Sequence, residues 1–166
     1  MNNLLFNSVT EIEQILIVES MAKEIWNEYY CNILSKNQIS YMLNKFQSCN
    51  AISSSINYDN YKYYIISYDN HFCGYIAIHQ EDSKLFLSKF YILKEFRNKG
   101  IGKETFKFLK SFCVSQGLHS IYLTVNKYNF SSISIYKSIG FKTIDSVISD
   151  IGNDYIMDDY IMELIF

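Results

Sequence analysis

The chain has 166 residues, of which 49% are hydrophobic and 19% are charged, and its formal net charge is −2. This balance is typical of one globular domain and excludes bulk disorder. The charge provides no basic surface for nucleic acid, and no apolar run approaches the roughly 18 residues of a membrane-spanning helix. We therefore expect a single domain, residues 1–166, that binds neither nucleic acid nor membranes.

The four cysteines lie far apart in the sequence and form no C-x-x-C pair. That pattern is typical of free thiols in a reducing compartment, so we expect a cytoplasmic protein. The three histidines have no metal-ligand spacing, and no metal site is expected.

The first third of the chain is predicted to be helical and is assigned to residues 1–57. Thr10 and Glu13 have the spacing of a capping box, after which apolar residues recur at helical intervals. Ser35 and Gln38 repeat this capping signature ahead of a second, shorter helix. The stretch NAISSSIN that follows is ambiguous and fits one helical turn or two.

From residue 58 onward the hydrophobic period becomes that of strands, which indicates a mixed, α+β fold. Short polar turns join three β-prone runs and predict an antiparallel meander: YKYYIISY, HFCGYIAIH and LFLSKFYIL. A helix closed by Gly117 and a short helix closed by Gly140 then flank the strand SIYLTV. Two further strands, FKTIDSVI and YIMDDYIMELI, end the chain around a glycine-containing turn.

The segment RNKGIG, residues 97–102, lies between a predicted strand and a predicted helix. A glycine turn at a helix N-terminus exposes backbone N–H groups beside the positive end of the helix dipole. Glycine matters there because a side chain would hold an anion away from these amides. The pattern indicates a phosphate or pyrophosphate site, with a plain tight connection as the alternative. Its spacing fits neither the Walker loop nor the Rossmann fingerprint.

A second motif begins at Asn129 and runs through Tyr136 to Gly140 and Phe141. Together the two motifs resemble the GNAT superfamily of acetyl-CoA-dependent N-acetyltransferases. In that family [R/Q]-x-x-G-x-[G/A] grips the pyrophosphate of coenzyme A, and N-x-x-[A/S]-x-x-x-Y-x-x-x-G-F follows. The resemblance covers residues 60–166 clearly. The N-terminal helices and the C-terminal strands are also similar to small bacterial GNAT proteins, among them some polyamine acetyltransferases.

The resemblance implies a mixed, mostly antiparallel sheet of about six or seven strands, flanked by about four helices and splayed between two parallel strands. It places the sheet and the acetyl-CoA site in residues 58–166 and the substrate-side region in residues 1–57. The pantetheine arm lies between LFLSKFYIL and SIYLTV, and the pyrophosphate binds the loop amides. The implied cofactor-binding residues are Tyr91, Ile92, Arg97, Asn98, Lys99, Gly100, Ile101, Gly102, Lys103 and Asn129.

This chain departs from the family pattern at two positions. The family often carries glycine where Asn98 stands and proline where Lys94 stands. Asparagine tolerates a left-handed backbone better than most residues, so we expect the loop to keep its conformation.

The resemblance assigns Tyr136 a catalytic role. Acetyl transfer to an amine expels a thiolate, and a phenol with an ordinary pKa near 10 can protonate it. The alternative is that Tyr136 only packs its helix against the sheet. Asn129 either holds the pantetheine, caps a helix, or does both. The general base is not identified, and the candidates, each also consistent with a solvated carboxylate, are Glu28, Glu81, Asp158 and Asp159.

The acceptor is expected to be a primary amine of a small molecule, polyamine-like or otherwise cationic, or of a peptide. Candidate acceptor-binding residues are Trp26, Glu28, Tyr29 and Tyr30, because aromatic rings bind cations, although such residues at helical spacing are more often core. The alternative function is a non-catalytic acyl-CoA-binding sensor or interaction module. The apolar tail YIMELIF either pairs across a two-fold axis or closes the sheet, and an unpaired apolar strand there would favour a homodimer.

Overall fold

The computed structural model describes residues 3–166, which fall into two compact units. The first unit consists of the residues up to His79 together with Lys89–Ile101. The second unit consists of Gln80–Ser88 together with Gly102–Phe166.

Within the described residues there are seven strands and five α-helices. The strands are β1 (Leu4–Ser8), β2 (Lys62–Tyr68), β3 (His71–Gln80), β4 (Lys84–Ile92), β5 (Ser120–Asn126), β6 (Lys142–Gly152) and β7 (Tyr155–Ile165). The helices are α1 (Ile12–Tyr29), α2 (Lys36–Phe46), α3 (Cys49–Tyr58), α4 (Ile101–Ser115) and α5 (Phe130–Ile139), with 3-10 turns at Tyr30–Asn32 and Lys94–Phe96.

The strand order is β1-β2-β3-β4-β5-β7-β6. β4 and β5 pair in parallel, whereas β1-β2, β2-β3, β5-β7 and β6-β7 are antiparallel. The predicted α+β class and its mixed, mostly antiparallel sheet are therefore confirmed. The helix beyond the expected four is α3, which forms in the stretch that was ambiguous in sequence and is capped by Ser48, whose hydroxyl accepts the Ala51 N–H.

The caps of the first two helices test the sequence signatures directly. Ser35 caps α2 as predicted, and its hydroxyl accepts the Gln38 N–H at 3.1 Å. The predicted box at Thr10 is wrong by one position, because α1 is capped at Glu11. The Gln14 side-chain oxygen accepts from the N–H groups of both Thr10 (2.7 Å) and Glu11 (3.0 Å), which fixes the later start.

The first unit also contains a strand that the sequence analysis does not predict. β1 pairs with β2 from Leu4↔Tyr68 to Ser8↔Tyr64. It is five residues long and mostly exposed, so its alternation of apolar and polar residues is weak. The neighbouring β2 and β3 are buried on both faces, with Ile65, Ile66 and Ile76 at 2% exposure or less.

The second unit is organised around β5, which pairs with β4 on one side and β7 on the other. Glu163 of β7 is buried and contacts the Lys84 ammonium (2.8 Å) and the Ser120 hydroxyl (2.6 Å). These contacts lower the pKa of Glu163, the lysine contributing most, and they tie together the beginnings of β4 and β5. The parallel register there runs from Lys84↔Ser120 to Phe86↔Tyr122.

Glycines end both helices of this unit as predicted. Gly117 follows α4 with φ +67°, and Gly140 follows α5 with φ +113°. The closing hairpin is longer than expected, because β6 reaches Gly152 and the turn is reduced to Asn153 and Asp154, both at positive φ. β7 is paired on both sides, with β5 and β6, so the apolar tail closes the sheet, which is one of the two alternatives expected for it. The homodimer stays a prediction.

All four cysteines are free thiols, and Cys73 and Cys113 are buried. None of the helices in residues 3–166 has the length and apolar character needed to cross a membrane.

Candidate active site

The end of β4 contributes the first predicted site residues. The Leu93 N–H donates to the Cys73 carbonyl of β3, so the backbone groups of Ile92 point to the opposite edge of β4. Gly74 of β3 permits this close approach, because a Cβ there would lie 2.3 Å from the Tyr91 carbonyl oxygen. The Tyr91 ring packs 5.4 Å from the Tyr75 ring.

The loop after β4 has the backbone that the glycine motif predicts. Asn98 has φ +61° and Gly100 has φ +79°, and α4 begins at the next residue, the buried Ile101. A Cβ placed on Gly100 would meet no heavy atom within 4 Å. Glycine at position 100 therefore permits the left-handed backbone of the turn and leaves the space above the Gly100 backbone open. Asn98 adopts the left-handed conformation expected of it.

The basic residues of the loop differ in placement. The Lys99 ammonium lies 5.0 Å from the ring centroid of Phe96 and 5.9 Å from that of Tyr68. Lys103, in the first turn of α4, is exposed, and the preceding Gly102 is half-buried. Lys99 is exposed as well, and Lys103 is the one of the two that lies within the first turn of α4, beside the helix N-terminus.

Arg97 and Glu28, which were predicted to bind different ligands, contact each other. The Arg97 Nη1 and Nη2 groups donate to Glu28 Oε1 (3.2 Å) and Oε2 (2.7 Å). Arg97 Nε donates to the Ile92 carbonyl at 3.0 Å. This pairing occupies the Glu28 carboxylate and two of the predicted cofactor-site groups, the Arg97 guanidinium and the Ile92 carbonyl.

The predicted acceptor-binding aromatics divide into one core residue and two half-buried ones. Trp26 is 4% exposed and packs against the rings of Tyr30 (4.5 Å) and Tyr91 (5.8 Å). Tyr29 and Tyr30 are half-buried, with their rings 5.2 Å apart in an edge-on arrangement. Trp26 therefore matches the core alternative, and the two tyrosines retain surface that a ligand can touch.

Lys89 of β4 is a feature of this region that the sequence motifs do not predict. Its ammonium lies over the rings of Tyr63 (5.5 Å) and Tyr61 (5.9 Å), and burial lowers its pKa to about 8. The available signal was a lysine inside the apolar run LFLSKFYIL, two residues before Tyr91. An amine that is partly neutral near pH 8 is thus built into the strand.

In the second unit Asn129 caps α5. Its side-chain oxygen accepts the Ser132 N–H at 3.2 Å, and the residue is 4% exposed. The helix-cap alternative is therefore confirmed, and contact with pantetheine stays a prediction.

Tyr136 projects from the last turns of α5 and is half-buried. Its ring meets that of Phe106 edge-on at 6.2 Å and lies 5.7 Å from that of Phe141. The carbonyl of Tyr136 accepts from the N–H groups of Gly140 and Phe141, which closes the helix. Two aromatic rings and the helix end thus hold the phenol in one place.

The two aspartates of β7 considered as bases differ in their contact with Lys127. Lys127 contacts Asp158 at 2.6 Å. Asp159 Oδ1 is buried without a hydrogen-bond partner in the described part of the chain. Burial, reinforced by the neighbouring Asp158 charge, raises the pKa of Asp159 to about 6. Glu81, a third candidate, accepts the Tyr122 hydroxyl at 2.6 Å.

The sequence model of the Acetyltransferase (GNAT) family matches residues 18–141, which is most of the chain. The chain belongs to the GNAT family. As a member of this family it is an acetyl-CoA-dependent acetyltransferase. A comparison with curated proteins finds no match.

Solved structures of GNAT proteins share the fold. The chain is similar to the PaiA N-acetyltransferase from Thermoplasma acidophilum in complex with coenzyme A, with TM-score 0.82, 22% identity and 99% of both chains covered. It is also similar to a chimera of the spermidine N-acetyltransferase SpeG from Vibrio cholerae and hSSAT, with TM-score 0.72, 14% identity and 98% and 95% coverage. The ribosomal-protein-S18-alanine N-acetyltransferase from Escherichia coli gives TM-score 0.69, 15% identity and 99% and 94% coverage.

The first GNAT motif of this chain fits a pyrophosphate on its own geometry. Positive φ at Asn98 and Gly100 turns the loop into the N-terminus of α4, where the first-turn N–H groups lack helical partners. The space over Gly100 is open, so a phosphate can approach the backbone. The residues present therefore suit the diphosphate of the acetyl donor.

Proposed function

We propose that this GNAT protein transfers an acetyl group from acetyl-CoA directly to a primary amine of a small molecule, polyamine-like or otherwise cationic, or of a peptide. The observation that carries the proposal is the left-handed turn at Asn98 and Gly100, open above Gly100 and leading into α4. Such a turn supplies amides and a helix dipole for phosphate without an obstructing side chain.

The cofactor-binding part of the proposal uses backbone more than side chains. The amides from Asn98 to Gly102 receive the pyrophosphate, with Lys103 adding charge beside them. The strand end at Tyr91 and Ile92 hydrogen-bonds the pantetheine amides as an added strand would, through backbone groups other than the Ile92 carbonyl that Arg97 Nε contacts. Asn129 orders the turn before α5, which its cap of Ser132 supports.

The proposed reaction forms a C–N bond and breaks a C–S bond. The acceptor nitrogen attacks the thioester carbonyl carbon, the thiolate leaves, and the phenol of Tyr136 donates its proton to the sulfur. Packing against Phe106 and Phe141 supports this role, because a fixed phenol needs little rearrangement to donate.

We assign the general base to Asp159. The support is that Glu28, Glu81 and Asp158 have polar partners, whereas Asp159 Oδ1 has none in the described part of the chain. A carboxylate with a pKa of about 6 is ionised at neutral pH and is a better proton acceptor than an ordinary aspartate. It takes the proton that the attacking amine loses, directly or through one water.

Two observations support a cationic acceptor. Tyr29 and Tyr30 are half-buried neighbours, and the Tyr29 ring already has one cation, the Arg97 guanidinium, 5.2 Å from its centroid, as expected of rings that bind ammonium groups. The net charge of −2 also favours a cation over an anion. Because two similar folds are a PaiA N-acetyltransferase and a spermidine N-acetyltransferase chimera, polyamines are the first amines to test.

Isothermal titration with acetyl-CoA, followed by a turnover screen of polyamines, amino sugars and peptides, tests the proposal. We expect 1:1 binding and release of coenzyme A with at least one cationic amine. Binding without turnover on any amine would favour the sensor module instead. A clear preference for anionic acceptors would contradict the acceptor class, and absence of acetyl-CoA binding by the folded protein would contradict the whole proposal.

A further inference from the structure

Arg97 is the first residue of the turn at residues 97–102 that is proposed to bind the cofactor. Its side chain, however, points towards α1 and β4. Three of its donor groups have partners: Nη1 and Nη2 on the Glu28 carboxylate and Nε on the Ile92 carbonyl. The centre of its guanidinium also lies 5.2 Å from the centroid of the Tyr29 ring. The Glu28 carboxylate therefore already neutralises the charge of Arg97. Contacts with Glu28, Ile92 and Tyr29 fix the position of the planar guanidinium group.

The contact between Arg97 and Glu28 is bidentate, and a bidentate contact fixes the relative orientation of the two side chains. Each carboxylate oxygen of Glu28 accepts from a different guanidinium nitrogen. The side chains of Arg97 and Glu28 are only 27% and 32% exposed, so water screens the contact less than it screens a surface ion pair. Glu28 lies in the last turn of α1, 69 residues before Arg97, so the contact is a long-range tie within the first unit.

The residues directly after Arg97 adopt a conformation that needs support. Asn98 has φ +61°, which a side-chain-bearing residue adopts at a cost, and Gly100 has φ +79°. A glycine-containing turn that is free at one end would sample many conformations. Anchoring Arg97 at its guanidinium fixes the start of the turn, while α4 fixes its end at Ile101.

We propose that Glu28 is a positioning residue for the cofactor site, which acts by holding Arg97 so that the turn from Asn98 to Gly100 keeps the shape that receives pyrophosphate. This inference rests on the proposed function, because it takes acetyl-CoA as the ligand of the turn. It assigns Arg97 to the structure of the loop rather than to the phosphate. It assigns Glu28 to the cofactor side of the reaction rather than to the acceptor.

The direction in which one variant changes the affinity for acetyl-CoA distinguishes this role from direct phosphate binding. Glu28→Gln removes a negative charge near the loop, so electrostatics alone would strengthen acetyl-CoA binding. If Arg97 were a phosphate ligand, this variant would also release it from Glu28. Loss of a positioning contact instead weakens binding, by roughly tenfold for one charge-assisted pair.

The experiment is isothermal titration of acetyl-CoA into wild type, Glu28→Gln, Arg97→Lys and the double variant, with hydrogen exchange measured on each unliganded protein. We expect the dissociation constant to rise roughly tenfold in each single variant and no further in the double variant, because both remove one contact. Exchange should become faster in the peptide covering residues 97–103 and stay unchanged in β5 and β7. Glu24→Gln, an exposed position one turn earlier on α1, is the matched control.

Two results would overturn the inference. Unchanged or tighter acetyl-CoA binding in Glu28→Gln would mean that the pair does not organise the loop. Faster exchange throughout the protein, with a lower melting temperature, would mean that the pair only supports the fold. Wild type that fails to bind acetyl-CoA contradicts the proposed function itself, so the wild-type titration and the variant-to-wild-type ratio decide the two claims separately.

Discussion

The two motifs that identify this chain are built in different ways. The turn at residues 97–102 depends on backbone conformation, with positive φ at Asn98 and Gly100 and one ionic tie to Glu28. The α5 motif depends on side-chain packing, with Tyr136 held between Phe106 and Phe141. From this difference we expect the first motif to determine acetyl-CoA binding and the second to determine the chemical step, and single substitutions can separate the two.

Gly100→Glu should have the largest effect on binding. The side chain would occupy the open space over the turn and place a carboxylate against a diphosphate, so we expect acetyl-CoA affinity to fall at least roughly 100-fold. Gly117→Glu is a matched control, because Gly117 also has positive φ and open space for a Cβ. Both variants should lose about 1–2 kcal/mol of stability from backbone strain. Equal acetyl-CoA affinity in the two variants, measured by titration, would refute a binding role for the turn.

Tyr136→Phe should have the next largest effect, and on the chemical step alone. Phenylalanine keeps the packing against Phe106 and Phe141, so acetyl-CoA binding should stay within about twofold of wild type. The single-turnover rate should fall roughly 100-fold, the usual size of a lost proton donor. Tyr128→Phe, at an exposed tyrosine just before α5, should leave the rate unchanged. An intact rate in Tyr136→Phe would reduce Tyr136 to a packing residue.

The features predicted correctly from sequence are those that depend on neighbouring residues. Ser35 caps α2 because its hydroxyl is within reach of an N–H three residues on, and Gly117 and Gly140 end helices because they accept positive φ. The two motifs belong to the same class, since each places all of its residues within one turn or one short helix. Features that depend on a few neighbouring residues can therefore be predicted without knowing the fold.

The features that sequence did not reveal depend on residues far apart in the chain. The contact between Glu28 and Arg97 joins positions 69 residues apart, and no spacing rule connects them. The raised pKa of Asp159 arises mainly from burial among packed elements, which its neighbours in sequence do not encode, and only the smaller contribution of Asp158 is visible in the sequence. β1 was missed for the same reason, because a short edge strand is defined by its pairing with β2 more than by its own residues.

Asp159→Asn offers a smaller and pH-dependent test of the second unit. The folded protein raises the pKa of this aspartate from 3.8 to about 6, so the folded state binds the proton more tightly than the unfolded chain. Stability from this group is therefore present at low pH and is lost as the pH rises from about 4 to about 6. Asparagine should stabilise the protein by on the order of 1 kcal/mol at pH 8, allowing for solvent screening, and by little at pH 4.

Urea denaturation at pH 4 and pH 8 measures this difference. Asp158→Asn is the comparison variant: it loses the contact with Lys127 but also removes a charge that raises the pKa of Asp159, so its net effect at pH 8 should be smaller than that of Asp159→Asn. If Asp159 is also the general base, Asp159→Asn is more stable but slower, and the acidic limb near pH 6 disappears from its rate profile. A variant that keeps the full rate and the limb would remove Asp159 from the chemistry.

The smallest effect is expected at Asn129, where the two roles considered for it can be separated. Asn129→Ala removes the cap on α5 and should cost about 1 kcal/mol in thermal or chemical denaturation. Asn129→Ser keeps a capping oxygen and should restore most of that stability. If the amide also holds pantetheine, Asn129→Ser will bind acetyl-CoA more weakly despite its restored stability. If stability and acetyl-CoA affinity both recover in Asn129→Ser, Asn129 acts only as the cap of α5. Cofactor binding would then depend on the turn at residues 97–102 and not on the second motif.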